Sequence, residues 1–278
     1  MVRDFLVAIG AVLTSTLALV GTVALAGFWG VDPSELNGER FVMSAENLLT
    51  VTIILCAPPI IVLSANRLLI DPFPRALGLV PFEWLHSAQG FVVGAAILLA
   101  SYGFRAWVGG WPEVSIKPSR VIGGFEFELL AWGWGAFALV MNSISEELVY
   151  RALPLRVASR HGFGRALSVV GTSLLFAGIH FLTRSPSLSD FAYLFLYGAV
   201  FCLLFLHTGS LWFVIGVHTG NNVVATSFDI LWPSDGLIEN YALSVVLAAV
   251  LVVLSAWIPI RKRVDYGVDR TSRPSCVV

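Results

Sequence analysis

Three short clusters hold the side chains of this sequence that could do acid–base chemistry. They are Ser145-Glu146-Glu147-Leu148-Val149-Tyr150-Arg151, Phe176-Ala177-Gly178-Ile179-His180 and His218-Thr219-Gly220-Asn221-Asn222. Each lies within, or directly continues, a long apolar run. An ionisable group at mid-bilayer costs from about 2.5 kcal/mol upward, so it normally faces a bundle interior and carries a function. Residues four apart stack on one helix face. Glu147 can therefore pair with Arg151, Phe176 sits one turn before His180, and His218 and Asn222 project together. Glu146 points about 100° away from Glu147, so the two carboxylates need not share a partner. Taken singly, the clusters have bland readings: Glu147–Arg151 as a solvated or interfacial ion pair, and either histidine as a satisfied interhelical hydrogen bond. Phe176-x-x-x-His180 alone means little in a chain with 19 Phe. Their joint occurrence within residues 146–222 of a charge-poor chain argues for one functional site.

A carboxylate, two imidazoles and a carboxamide suffice to add water to a peptide carbonyl. Glu146, partly withdrawn from bulk water, could act as general base on a water. His180 could hold that water or carry a proton, and His218 and Asn222 could donate hydrogen bonds to the developing oxyanion. Glu147 and Arg151 would fix the helix that presents Glu146. The same residue types also suit a zinc site, with Glu146, His180 and His218 as ligands and water in the open position. Ligand type leaves both open, and the reading without a metal cofactor is preferred. Serine catalysis is less attractive: Ser143 and Ser145 precede the glutamates, but no GxSxG elbow occurs. HExxH and GxxxxGKS/T are absent too, which argues against a zincin and a P-loop.

Several membrane helices must position these groups. The 278 residues are 57% hydrophobic and 13% charged, against about 25% charged in soluble domains, and the mean hydropathy is +0.82. A soluble core of this length could not hide so much apolar side chain. A spanning helix uses about 20 apolar residues. Apolar runs bounded by charge or turn residues place spans near 5–29, 47–65, 86–104, 128–153, 168–183, 190–207, 210–231 and 241–260. The expected fold is an all-α, polytopic transmembrane bundle of about eight spans, with a basic tail over 261–278. Arg3 and Ala24-Leu25-Ala26 look like the flanks of a signal peptide, but the first run exceeds the usual apolar length, and an uncleaved helix is preferred. Gly90 with Gly94, and Gly216 with Gly220, have the GxxxG spacing that lets helices approach closely.

Lys and Arg set the orientation. Arg3, Arg67, Arg75, Arg151, Arg156, Arg160, Arg165, Arg261, Lys262, Arg263, Arg270 and Arg273 fall on one side, twelve of the 17 basic residues, and Arg40, Arg105, Lys117, Arg120 and Arg184 on the other. The positive-inside rule puts both termini in the cytoplasm. A net charge of −1 offers no basic field for nucleic acid. Cys56, Cys202 and Cys276 form neither a disulfide framework nor a CxxC pair. His86, His161 and His207 read as interfacial, and Trp29, Trp84, Trp107, Trp111, Trp212, Trp232 and Trp257 as an aromatic belt. Pro154 removes a backbone hydrogen bond and should bend its helix. Glu146 reaches the depth of His180 if the fourth helix runs on to about residue 157, or if a re-entrant 155–167 segment holds Arg156, Arg160 and Arg165 at the surface.

Together, EExxxR at 146–151, FxxxH at 176–180 and HxxxN at 218–222 resemble the signature of the CPBP family. Its members are the CAAX prenyl proteases and the bacteriocin-processing or immunity (Abi) proteins. The likeness covers roughly 125–235, and Arg75-Ala76-Leu77-Gly78-Leu79 looks like a motif seen upstream. It implies an intramembrane endopeptidase with a cavity open to the cytoplasm. Water activation would fall to Glu146 and His180, and the oxyanion role to His218 and Asn222, with Glu147, Arg151 and Phe176 in support. On this reading 1–124 are N-terminal helices, 125–235 the catalytic core, 236–260 a last span and 261–278 the tail. The partners implied are the lipid bilayer and a membrane-associated peptide or lipidated protein. Rival readings are a non-enzymatic peptide-binding or immunity protein and a proton-coupled transporter. A transporter would more often show repeated halves, and none is evident.

Overall fold

A computed structural model of the chain describes residues 2–28, 45–68, 83–109, 125–184 and 188–231. Among these residues the structure is all-helical, with no strand. Seven long helices coincide with the first seven apolar runs: α1 (Val2–Phe28), α2 (Ala45–Leu68), α3 (Trp84–Gly109), α4 (Phe125–Glu147), α6 (Arg165–Arg184), α7 (Leu188–Thr208) and α8 (Leu211–Leu231), with the short α5 (Leu153–Arg160) between α4 and α6. The eighth expected span, 241–260, lies outside the described residues. By length and composition, Trp84–Phe104 in α3 and Asp190–Thr208 in α7 are apolar enough to cross a membrane. α1 turns Val2, Leu6, Ile9, Leu13 and Leu17 outward in one exposed apolar stripe.

The fourth span does not stop near residue 153 as its apolar run does. α4 passes through one π-helical turn, Leu148–Ala152, into α5, closed by the Leu153 N–H on the Leu148 carbonyl. Pro154 sits in the first turn of α5, where an N–H is dispensable. A wide turn, rather than a break, thus precedes the proline. The rod then runs to Arg160, the first of the two arrangements that the sequence allows for bringing Glu146 to the depth of His180.

Two glycines close the hairpins that set depth in the bundle. Gly162 (φ 77°) and Gly209 (φ 64°) adopt the left-handed conformation that glycine tolerates. The Gly209 N–H returns to the Phe205 carbonyl at 2.8 Å, ending α7. Around the turn at 161–164, Glu146 lies about 21 Å of helix rise before the end of α5, and His180 about 22 Å after the start of α6. The two residues therefore meet at one level. The same symmetry about Gly209 and Ser210 sets Phe201 of α7 beside His218 of α8, with ring centroids 5.4 Å apart.

α3 and α8 pack through both glycine pairs. A Cβ on Gly90 would strike the Phe213 carbonyl, one on Gly94 the Val217 carbonyl, one on Gly216 the Ser87 carbonyl and one on Gly220 the Phe91 carbonyl. The close approach expected of the spacing is thus realised between these two helices, and it fixes the helix that bears His218.

Candidate active site

Glu146 is 7% exposed, and Glu147 and Arg151 are fully buried. The Arg151–Glu147 pair is therefore not solvated: Arg151 Nη1 donates to Glu147 Oε1 inside the bundle. The guanidinium carbon lies 4.4 Å from the Phe176 ring centroid and 4.8 Å from that of Phe201, so its faces are covered by aromatic rings. Arg151 Nε and Nη2 have no hydrogen-bond partner among the described residues, and neither has Glu147 Oε2. An ion pair so placed is costly to break from one side, about 3–5 kcal/mol.

Glu147 Oε1 also accepts from His218 Nδ1 at 2.7 Å. His218 Nε2 then faces Glu146 Oε2 at 3.6 Å. The two carboxylates do share a partner, although the helical angle between them does not require one. The imidazole of α8 inserts between them and offers one nitrogen to each.

His180 is held in a parallel way. Its Nδ1 donates to the Phe176 carbonyl at 2.9 Å, since a carbonyl oxygen can only accept. In the neutral ring its Nε2 is then an acceptor, and it stands 3.9 Å from Glu146 Oε1. Phe176 is 2% exposed, and its ring centroid is 4.5 Å from that of His180. The FxxxH spacing thus supplies both a carbonyl that fixes the tautomer and a ring that supports the imidazole and Arg151.

Six of the residues singled out by sequence are therefore together: Glu146, Glu147, Arg151, Phe176, His180 and His218. Asn222 is one turn beyond His218 on the same face, half-buried, and among the described residues no hydrogen bond joins it to the other six. Four further side chains belong to the cluster. Asn142 donates to Glu146 Oε1 at 2.9 Å, a contact legible in the four-residue spacing. Tyr197 packs edge-on to His218, with centroids 5.9 Å apart, and accepts from Asn221 at 3.1 Å. Phe201 covers Arg151. Nothing in the local sequence marks Tyr197 or Phe201, whereas Asn221 lies within the third polar cluster.

The centre is a set of acceptors facing one another. Glu146 presents carboxylate oxygens, and both imidazoles present Nε2 across gaps of 3.6 and 3.9 Å. Those gaps exceed a direct hydrogen bond and suit a small donor between them. Both rings direct Nδ1–H to an oxygen acceptor, an arrangement that orients Nε2 for a metal as well as for a water. Zinc with bonds of 2.0–2.1 Å would need neighbouring donors about 3.4 Å apart. Among the described residues no set of three or more His, Cys, Asp or Glu closes to metal-holding geometry; Glu146 stands 3.6 and 3.9 Å from the two Nε2 atoms, a few tenths of an ångström beyond that spacing.

No curated protein matches the chain. Residues 128–224 match the family model described as type II CAAX prenyl endopeptidase Rce1-like, a stretch that contains all three motifs and agrees with the CPBP resemblance of the sequence.

Proposed function

We propose that this protein is an intramembrane endopeptidase that hydrolyses a peptide bond in a membrane-associated substrate, of the prenylated CAAX or bacteriocin-like kind, with Glu146 activating the water. One observation carries the proposal: α4, α6 and α8 bring the Glu146 carboxylate opposite the Nε2 atoms of His180 and His218 at 3.9 and 3.6 Å. A water in that gap donates one proton to Glu146 and one to an imidazole, which leaves an oxygen lone pair free to attack. As the bond to the scissile carbonyl carbon forms, Glu146 takes a proton and the carbonyl electrons move to oxygen. Asn222 donates its amide N–H to that oxyanion. His218 Nε2, oriented by Glu147 through Nδ1–H, takes up the hydroxyl proton of the intermediate and then hydrogen-bonds the oxygen that lost it. The proton on Glu146 then passes to the departing amide nitrogen as the C–N bond breaks, giving a carboxylate and an amine.

The bundle has about eight spans in this reading, with the cavity and both termini on the cytoplasmic side of the cytoplasmic membrane. The substrate is held by its lipid chain or its own apolar segment and reaches the gap between helices. No step is assigned to a metal. Purified protein in proteoliposomes should cleave a lipidated reporter peptide in 18O-labelled water and place one label in the new carboxyl terminus. Intact reporter bound without cleavage would favour a peptide-binding or immunity protein. Stoichiometric zinc whose removal abolishes cleavage would overturn the metal-free mechanism.

A further inference from the structure

Two hydroxyl contacts join the Glu146 rod to helices outside the family-matched stretch. Tyr150 and Thr16 of α1 share a buried hydroxyl–hydroxyl bond of 3.2 Å. Ser145, next to Glu146, shares its single proton between the Met141 carbonyl of its own helix at 2.7 Å and the Leu55 carbonyl of α2 at 3.2 Å. A mid-helix serine ordinarily makes only the first of these bonds.

The second bond has a cause in the sequence of α2. That helix runs through Pro58 and Pro59. Proline has no N–H, so Pro59 leaves unbonded the carbonyl four residues earlier, that of Leu55. A buried carbonyl without a donor is costly, and Ser145 supplies the donor from across the interface. Ser145 is 6% exposed, so water does not readily take its place. Since Ser145 and Glu146 are neighbours on one helix, pinning the serine fixes the helix rotation that aims the carboxylate at His180 and His218.

We infer that the α1–α2 pair is a positioning clamp on the catalytic rod, acting through Ser145 on the Leu55 carbonyl vacated by Pro59 and through Thr16 on Tyr150. Ser145 is a positioning residue, and its role rests on the hydrolytic reading of Glu146. A small displacement of a reacting group lowers turnover steeply, up to about a hundredfold for 1 Å.

The test is a double-mutant cycle of Ser145→Ala and Pro59→Ala in the full chain, read by reporter cleavage and by melting midpoint. Ser145→Ala is expected to lower kcat about tenfold with KM unchanged, and Ser145→Thr, which keeps the hydroxyl, to stay within about threefold of wild type. Pro59→Ala returns an N–H to the Leu55 carbonyl, so adding Ser145→Ala should cost little more in either readout. Additive losses, a raised KM with kcat intact, or failure of the threonine variant would each overturn the clamp. If the wild-type protein cleaves nothing, the hydrolytic reading fails while non-additive melting shifts still uphold the contact. Additive melting shifts with wild-type cleavage intact overturn the clamp alone.

Discussion

The same residue types meet twice in this bundle and are built differently. At the end of the rod, Asp4 of α1 is buried and closed upon: His161 Nε2 lies 3.0 Å from its Oδ2 and Arg160 Nε 3.8 Å from the same atom. The Phe5 ring lies 5.4 Å from that of His161. At the centre, Glu146 is nearly as buried, yet each imidazole nitrogen it faces stands beyond hydrogen-bond distance. A carboxylate satisfied directly by its neighbours is a fastening. Glu146 takes one direct bond, from Asn142 at 2.9 Å, while the two imidazoles, oriented by other groups, stop at 3.6 and 3.9 Å and leave the carboxylate open to a bridging donor. Burial and residue type are shared, so the gap carries the functional distinction.

Substitutions can break or sharpen that contrast. Glu146→Gln preserves volume and removes the base, and it should lower kcat for reporter cleavage by about a thousandfold or more with the melting midpoint unchanged. Equal losses from Glu146→Gln and from changes at Asp4 would erase the distinction between the two sites. Glu147→Gln weakens the acceptor that orients His218 and leaves Arg151 buried without its counter-ion. It should lower kcat by about a hundredfold or more and destabilise the protein by about 3–5 kcal/mol in denaturant titration. Gly220→Val would drive a side chain into the Phe91 carbonyl, part α8 from α3 and shift His218. A loss of about tenfold to a hundredfold in kcat is expected. Asp4→Asn should weaken a charge-assisted contact worth about 1.5–3 kcal/mol, seen as a lower melting midpoint, with cleavage within about threefold of wild type.

Much of this architecture is legible in the sequence because it depends on local periodicity. Apolar runs mark the seven long helices, and four-residue spacing pairs Glu147 with Arg151 and places Phe176 under His180. GxxxG marks the α3–α8 interface, though not which helices it would join. Asn142 could be read as well, one turn before Glu146. The rest depends on distance along the chain. Asp4 and His161 are 157 residues apart, and no local pattern links them. His161 is accordingly a partner of Asp4, not simply an interfacial residue. Phe201 reaches Arg151 only because the α7–α8 turn folds it back. His218 sits between two glutamates because of helix packing, which the 100° offset of adjacent residues cannot reveal. Pro154 signals a local irregularity in its helix but not its form, a wide turn that lets the rod continue.

What stands between Glu146 and the two imidazoles decides how this site works. An experimental structure in lipid nanodiscs, resolved well enough to place waters, with X-ray anomalous or elemental analysis for zinc, tests it most directly. A water is expected within hydrogen-bond distance of the Glu146 carboxylate and of His180 or His218 Nε2. A direct Glu146–imidazole bond closing the gap as Asp4 closes on His161, or a zinc ion in the water's position, would contradict it.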